Sequence, residues 1–171
     1  MSESRFPRLI GNFSRCITLS ILSILIAACS RPAATTPPSA PANDAIVGAI
    51  RVSDGWIRAT PIAGVSGAGY LRITNIGDSA DTLLSGETTL AERVEVHQMA
   101  NVDGVMQMRE LAEGVEIPAG GSVELAPSGT HLMLMQVREP LKAGTTVPVE
   151  LHFARAGKVK LDLPVRDGTA P

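Results

Sequence analysis

Between Val47 and Val165 the chain reads as nine short β-type runs in quick succession, and no convincing helical stripe lies between them. The runs are "IRVSDGWIRAT", "GYLRITNIG", "DTLLSG", "ERVEVHQM", "VMQMREL", "VEIPAGGSVEL", "HLMLMQV", "TVPVELHF" and "KVKLDLPV", each broken from the next by turn residues. Many closely spaced strands of this kind predict an all-β domain, an antiparallel sandwich or barrel of about nine strands. With 171 residues and 44% apolar content there is enough material for one packed core. The sequence shows no internal repeat and no second domain, and the terminal "DGTAP" (166–171 with Arg166) reads as a flexible tail.

The first 28 residues read as an export leader: arginines at 5, 8 and 15, then the 12-residue apolar run "ITLSILSILIAA". A helix crossing a bilayer needs roughly 20 residues, whereas the apolar segment of a cleavable leader has about 7–15. The leader ends in "IAAC", which resembles a bacterial lipobox, so Cys29 is expected to carry lipid and hold the protein at the extracytoplasmic, periplasmic face of a membrane. Residues 29–46 follow as a Pro/Ala/Ser/Thr-rich tether with too little apolar surface to fold. Cys16 lies in the leader, so the domain at 47–165 has no cysteine, no disulfide and no thiolate for a metal. The chain has 15 basic and 17 acidic residues; without Arg5, Arg8, Arg15 and Glu3 these become 12 and 16, a net charge of −4. That balance excludes a basic footprint for nucleic acid.

The methionines and histidines are gathered rather than dispersed. Apart from Met1, all the methionines (Met99, Met106, Met108, Met133, Met135) lie in "HQMANVDGVMQM" and "HLMLM", and His97 and His131 open these two stretches. Strand alternation puts Val94 and Val96 on one face and Arg93, Glu95, His97 and Met99 on the other. In the second stretch it separates Leu132 and Leu134 from His131, Met133 and Met135. If the leucines fill the core, the histidine and methionines face outward. Asp103-Gly104 is a strong two-residue hairpin signal. That turn pairs Val102 with Val105, Asn101 with Met106 and Met99 with Met108, leaving Met108 diagonal to His97. A single buried methionine is usually a gap-filler and a single strand histidine usually structural. Five methionines and two histidines sharing one parity point instead to a metal site, while His152 has no such company. Thioether sulfur selects soft ions, above all Cu(I), and imidazole accepts Cu(I) readily. Zinc prefers thiolate, imidazole and carboxylate.

At these residues the sequence resembles the periplasmic PCu(A)C copper chaperones, which supply the CuA centre of cytochrome oxidase. Their pattern is a histidine, about ten residues, a methionine, just over twenty residues, then His-x-Met. Here His97 is followed by ten residues and Met108, then by 22 residues and His131-Leu132-Met133, one more than usual. The resemblance extends through "GWIRAT", "GAGYLRITNIGD", "VEIPAGGSVEL" and "HLMLMQVREPLKAGTTVPVELHF". It implies a cupredoxin-like Greek-key β-barrel that holds Cu(I) at His97, Met108, His131 and Met133, with Met99, Met106 and Met135 as possible secondary contacts. It further implies that the partners are copper and the oxidase CuA subunit or a thiol copper chaperone; many relatives are soluble periplasmic proteins, so the lipid expected on Cys29, which adds the membrane as a partner, departs from the family. No nucleophile–base pair, phosphate loop or carboxylate dyad has recognisable spacing, so the chain reads as a monomeric carrier rather than an enzyme. The rival readings are a periplasmic copper buffer with no dedicated acceptor and an interaction module whose methionines form an apolar contact surface.

Overall fold

The structure is a computed structural model and describes residues 43–168. The leader, Cys29, most of the tether and the last three residues of the tail lie outside the described residues. All regular structure among the described residues is β: β1 (Ala45–Val47), β2 (Ile50–Arg58), β3 (Gly67–Asn75), β4 (Asp81–Glu87), β5 (Arg93–Val102), β6 (Val105–Glu110), β7 (Val115–Ile117), β8 (Ser122–Leu125), β9 (Thr130–Met135), β10 (Thr146–Phe153) and β11 (Gly157–Arg166). Seven strands close into a barrel in the order β2, β11, β10, β4, β5, β9, β3 and back to β2. The other four are accessory: β1 extends β2, β8 pairs with β3, β7 with β4 and β6 with β5.

Eleven strands appear where nine runs were expected, for two local reasons. "VEIPAGGSVEL" is split by its Pro-Ala-Gly-Gly centre into β7 and β8, which pair with different neighbours. Among the described residues, regular structure also starts at Ala45, two residues before the expected start of the domain. Closure introduces one parallel pair, β11 with β2 (Val165 beside Ile57), into an otherwise antiparallel ladder.

Alternation fills the barrel. Val147, Val149, Leu151 and Phe153 of β10 and Val159, Leu161, Leu163 and Val165 of β11 point inward. They meet Leu71 and Ile73 of β3, Val94 and Val96 of β5, and Leu132 and Leu134 of β9. Complete burial of a Leu, Val or Ile side chain contributes about 1.5–3 kcal/mol, so these strands are locked in register by their inner faces. A one-residue slip would exchange the leucines of β9 with its histidine and methionines.

β2 changes parity midway. Ile50 and Val52 point into the core, the register against β3 shifts between Ser53 and Trp56 with Asp54 at φ 56°, and Ile57 then takes the core side. This bulge turns Trp56 onto the outer face opposite Tyr70, against which it packs at 4.6 Å between ring centroids. The outer face beside the metal-type residues is thereby paved with rings.

Candidate metal centre

β5 and β9 are antiparallel neighbours, with His97 directly opposite His131 and Glu95 directly opposite Met133. On the other side of β5 the hairpin to β6 sets Met99 opposite Met108 and His97 opposite Glu110. This is the register that the Asp103-Gly104 turn predicts, and the turn has positive φ at both central residues, 52° and 86°. The Asn101 Oδ1 accepts from the Gly104 N–H at 2.9 Å and closes it. His97 is therefore the shared neighbour: direct to His131, diagonal to Met133 across one ladder and to Met108 across the other.

A cleft of about 510 Å³ opens on this face, and Met99, Met108, His131 and Met133 all line it. The rest of its wall is made by Arg58 to Pro61, Val65 to Ala68, Tyr70, Pro127 and Ser128. That wall is fixed by backbone hydrogen bonds: Thr60 and Leu141 exchange N–H and carbonyl both ways, Gly64 N–H donates to the Val137 carbonyl, and Val137 N–H to that of Val65. A larger cleft of about 720 Å³ lies elsewhere, walled by Glu87, Glu92, Arg138, Glu150 and Lys160. It holds no thioether or imidazole, so size does not locate the chemistry here.

The outward parity is as expected, but the face is less open than parity suggests. His131 is only 6% exposed, because the Tyr70 and His97 rings flank it at 6.4 and 6.2 Å between centroids. Arg58 in turn stacks its guanidinium over Tyr70 at 5.6 Å. Burial of the Tyr70 phenol raises its pKa, opposed by Arg58. Met108 and Met106 are about half exposed. Of the remaining methionines, Met99 joins the cleft, whereas Met106 lies opposite Asn101, four residues beyond His97 along β5 and hence about 13 Å further out. Met135 lies opposite Arg93, and its sulfur accepts a hydrogen bond from the Ser66 hydroxyl at 3.8 Å.

The nitrogens of the two imidazoles are differentiated by their partners. A carbonyl can only accept, so the contact of 3.1 Å between His131 Nδ1 and the Gly129 carbonyl puts the proton on Nδ1 and leaves Nε2 as the lone-pair nitrogen. In His97, Nε2 meets the Glu95 carboxylate at 2.9 Å. Among the described residues, His97 Nδ1 is the buried side-chain nitrogen or oxygen left with no hydrogen-bond partner. Unsatisfied buried polar atoms are rare, and a role in binding an ion is one of the things that explains them. His97 itself is not among the residues that line the cleft; imidazole nitrogens and thioether sulfurs gathered on one sheet face are donors of the kind that suits a soft monovalent ion.

Sequence reasoning put Glu95 on the correct face but assigned it no role. Its carboxyl pKa is lowered, first by the hydrogen bond from His97 and next by that from Arg93, against the opposing effect of burial. A carboxylate two residues before a candidate ligand on the same strand face was the available signal. His152, which had no partner in the sequence, sits with Glu87 and Glu150 in a cluster whose donor atoms lie within 4.8 Å of one another. Lys158, 2.8 Å from Glu150, and Lys160, 3.7 Å away, already compensate its charge.

Among solved structures, the copper-bound PCuAC domain from PmoF2 aligns with a TM-score of 0.60 at 22% identity, over 72% of this chain and 97% of that one. CuI-DR1885 from Deinococcus radiodurans aligns with a TM-score of 0.51 at 25% identity, over 68% and 79% of the two chains. The fold is therefore that of the PCuAC domains, a cupredoxin-like β-barrel. In sequence, "Putative lipoprotein Lxx21020" of Leifsonia xyli subsp. xyli (strain CTCB07) is 28% identical over 155 residues, covering 90% of this chain and 89% of the relative. Residues 50–165, which include the whole of the His97 and His131 face, match the family described as "Putative lipoprotein LpqE-like", and the chain belongs to that family.

Proposed function

We propose that this protein is an exported, lipid-anchored Cu(I) metallochaperone, a carrier rather than an enzyme, which passes copper to the CuA centre of cytochrome oxidase or to a thiol intermediary of that pathway. Copper is its cargo, held by His97, Met108, His131 and Met133. One observation carries the reading: a buried imidazole nitrogen without a partner, His97 Nδ1, opposite a second histidine and diagonal to two thioethers on one sheet face. The copper-bound PCuAC domain from PmoF2 and CuI-DR1885 support it by sharing the fold. No thiolate is needed, and a neutral set leaves a bound Cu(I) with a net charge of only +1, which lowers the cost of holding it at a partly buried site. Exposure of Met108 suits transfer, since an incoming ligand must reach the metal before the old ones leave. The lipid anchor on Cys29 is supported by the lipobox-like "IAAC" and by the lipoprotein description of the family.

Anaerobic Cu(I) titration with X-ray absorption tests the reading. One equivalent with two nitrogen and two sulfur neighbours is expected, and a sulfur-only shell would remove the histidines. For the acceptor, loss of the protein should give an oxidase-assembly defect that added copper rescues. Normal assembly in its absence would leave a copper buffer.

A further inference from the structure

We infer that Glu95 is a positioning residue: its carboxylate holds His97 in the Nε2–H tautomer and so reserves the buried Nδ1 lone pair for the metal. The inference rests on the copper reading for what that lone pair is for. The hydrogen-bond assignment itself stands on the apo geometry.

The two carboxylate oxygens have separate donors. Oε1 accepts from Arg93 Nε at 2.7 Å, and Oε2 faces His97 Nε2 at 2.9 Å. An ionised carboxylate only accepts, so the ring nitrogen facing it must carry the proton. The neutral ring has one proton, which leaves Nδ1 bare. The opposite tautomer would bury an N–H with no acceptor at Nδ1 and set two lone pairs against each other at Nε2, and each of these is unfavourable. Glu95 is little exposed (16%), so water competes weakly for this bond. At His131 the same task falls to the Gly129 backbone carbonyl, which no side-chain replacement can remove. Glu95 is thus the mutable half of the arrangement that aims the two rings.

The isosteric Glu95→Gln change makes a sharp test because Arg93 can only donate. The single amide oxygen of Gln has two claimants. If it answers Arg93, the amide NH₂ faces His97 Nε2, which must then become the acceptor, and the proton moves to Nδ1 where the metal should bind. The measurement is the ¹⁵N–¹H correlation spectrum of the imidazoles in the apo protein at mildly alkaline pH, followed by anaerobic competition for Cu(I) with a chromophoric chelator. The wild type should show His97 as Nε2–H. Glu95→Gln should shift it toward Nδ1–H, with Cu(I) affinity lower by about 10–100-fold, the usual range for an outer-shell partner. In the double variant Arg93→Met/Glu95→Gln, the amide oxygen is released to turn toward His97, and the Nε2–H tautomer and part of the affinity should return. A purely structural role would not give that rescue. An Nδ1–H wild-type ring in a protein that binds Cu(I), or a Glu95→Gln variant with unchanged tautomer and affinity, would overturn the inference about Glu95 alone. A wild type with the expected tautomer that binds no Cu(I) would overturn the copper reading and, with it, the purpose assigned to the lone pair.

Discussion

A thioether and a branched hydrocarbon of similar bulk pack alike but coordinate differently, so methionine-to-leucine replacement isolates the sulfur. Met108→Leu and Met133→Leu should each lower Cu(I) affinity by roughly 100-fold or more, since even outer-shell changes cost about 10–100-fold. Stability should change by less than about 1.5 kcal/mol. Met106→Leu, opposite Asn101 and away from the cleft, should change neither quantity. Chelator competition beside thermal melting checks all three, and tight binding by both Met108→Leu and Met133→Leu would remove them as ligands. Affinity should also fall on acidification from neutral pH, because an imidazole must be deprotonated to ligate whereas a thioether has no proton. A flat titration series would exclude the histidines. Most of this site could be read from alternation alone: His97, Met99, His131, Met133 and Met135 share their parity in the sequence as in the barrel. What alternation could not supply was depth and direction. That His131 is covered depends on Tyr70, which arrives through the pairing of β3 with β9 and is itself flanked by Trp56 after the bulge in β2. No local pattern encodes a contact sixty residues away.

The β5–β6 hairpin is the element that brings Met108 to the site, and it is loosely integrated. Every residue of β6 is exposed, and its ladder is to β5 alone. Gly104 has φ 86°, and nothing surrounds the place where a side chain would stand. Gly104→Val therefore suffers from its backbone conformation only, about 1–2 kcal/mol for an L residue in that region. Because the strain is confined to the hairpin, amide exchange in β6 should rise and Cu(I) affinity should fall, with little change in global melting. Gly114 offers the contrast: at φ 80°, an added Cβ would overlap the Leu83 backbone carbonyl, which cannot yield as a side chain can. Gly114→Ala should lower global stability by roughly 2–4 kcal/mol, conformational strain plus overpacking, and reduce copper binding only through unfolding. A hairpin variant that melted as badly as Gly114→Ala would show that β6 is structural after all. The hairpin was legible because its turn chemistry is local. Its register follows from two residues, Asp103 and Gly104, whereas the split of "VEIPAGGSVEL" between two partners and the parallel contact of β11 with β2 are set by barrel closure.

Among the described residues, two outer-face charge networks shift the pKa of some of their members: Arg93, Glu95 and His97 at the site, and Glu87, Glu150, His152, Lys158 and Lys160 on β4, β10 and β11. Each depresses a carboxyl pKa. Glu95 is lowered first by His97 and then by Arg93, and Glu150 first by its hydrogen bond from Lys158. A carboxyl whose folded pKa lies below the unfolded one binds fewer protons when folded. Its stabilisation is complete above the unfolded value, here the ordinary 4.5, and is lost as pH falls through the lower folded value. At the alkaline end the sign reverses. Lys158 is raised above its ordinary 10.5 by Glu150, so its share persists below that value and disappears as pH rises through the higher folded one. The apo protein should therefore show a melting temperature that is level with respect to these carboxyls between about pH 7 and 5 and declines below the ordinary carboxylate range. The two contributions separate by salt. Lys158 is 60% exposed and its attraction to Glu150 is open to screening, whereas Glu95 and His97 are 16% and 12% exposed. Raising the salt concentration should flatten the part of the acid decline that Glu150→Gln also flattens, and should leave the part sensitive to Glu95→Gln largely in place. Melting curves of the three proteins, at low and high salt across the acid range, check this. An acid decline identical in all three would mean that neither carboxylate is linked to folding and that the acid-sensitive groups of this barrel lie elsewhere.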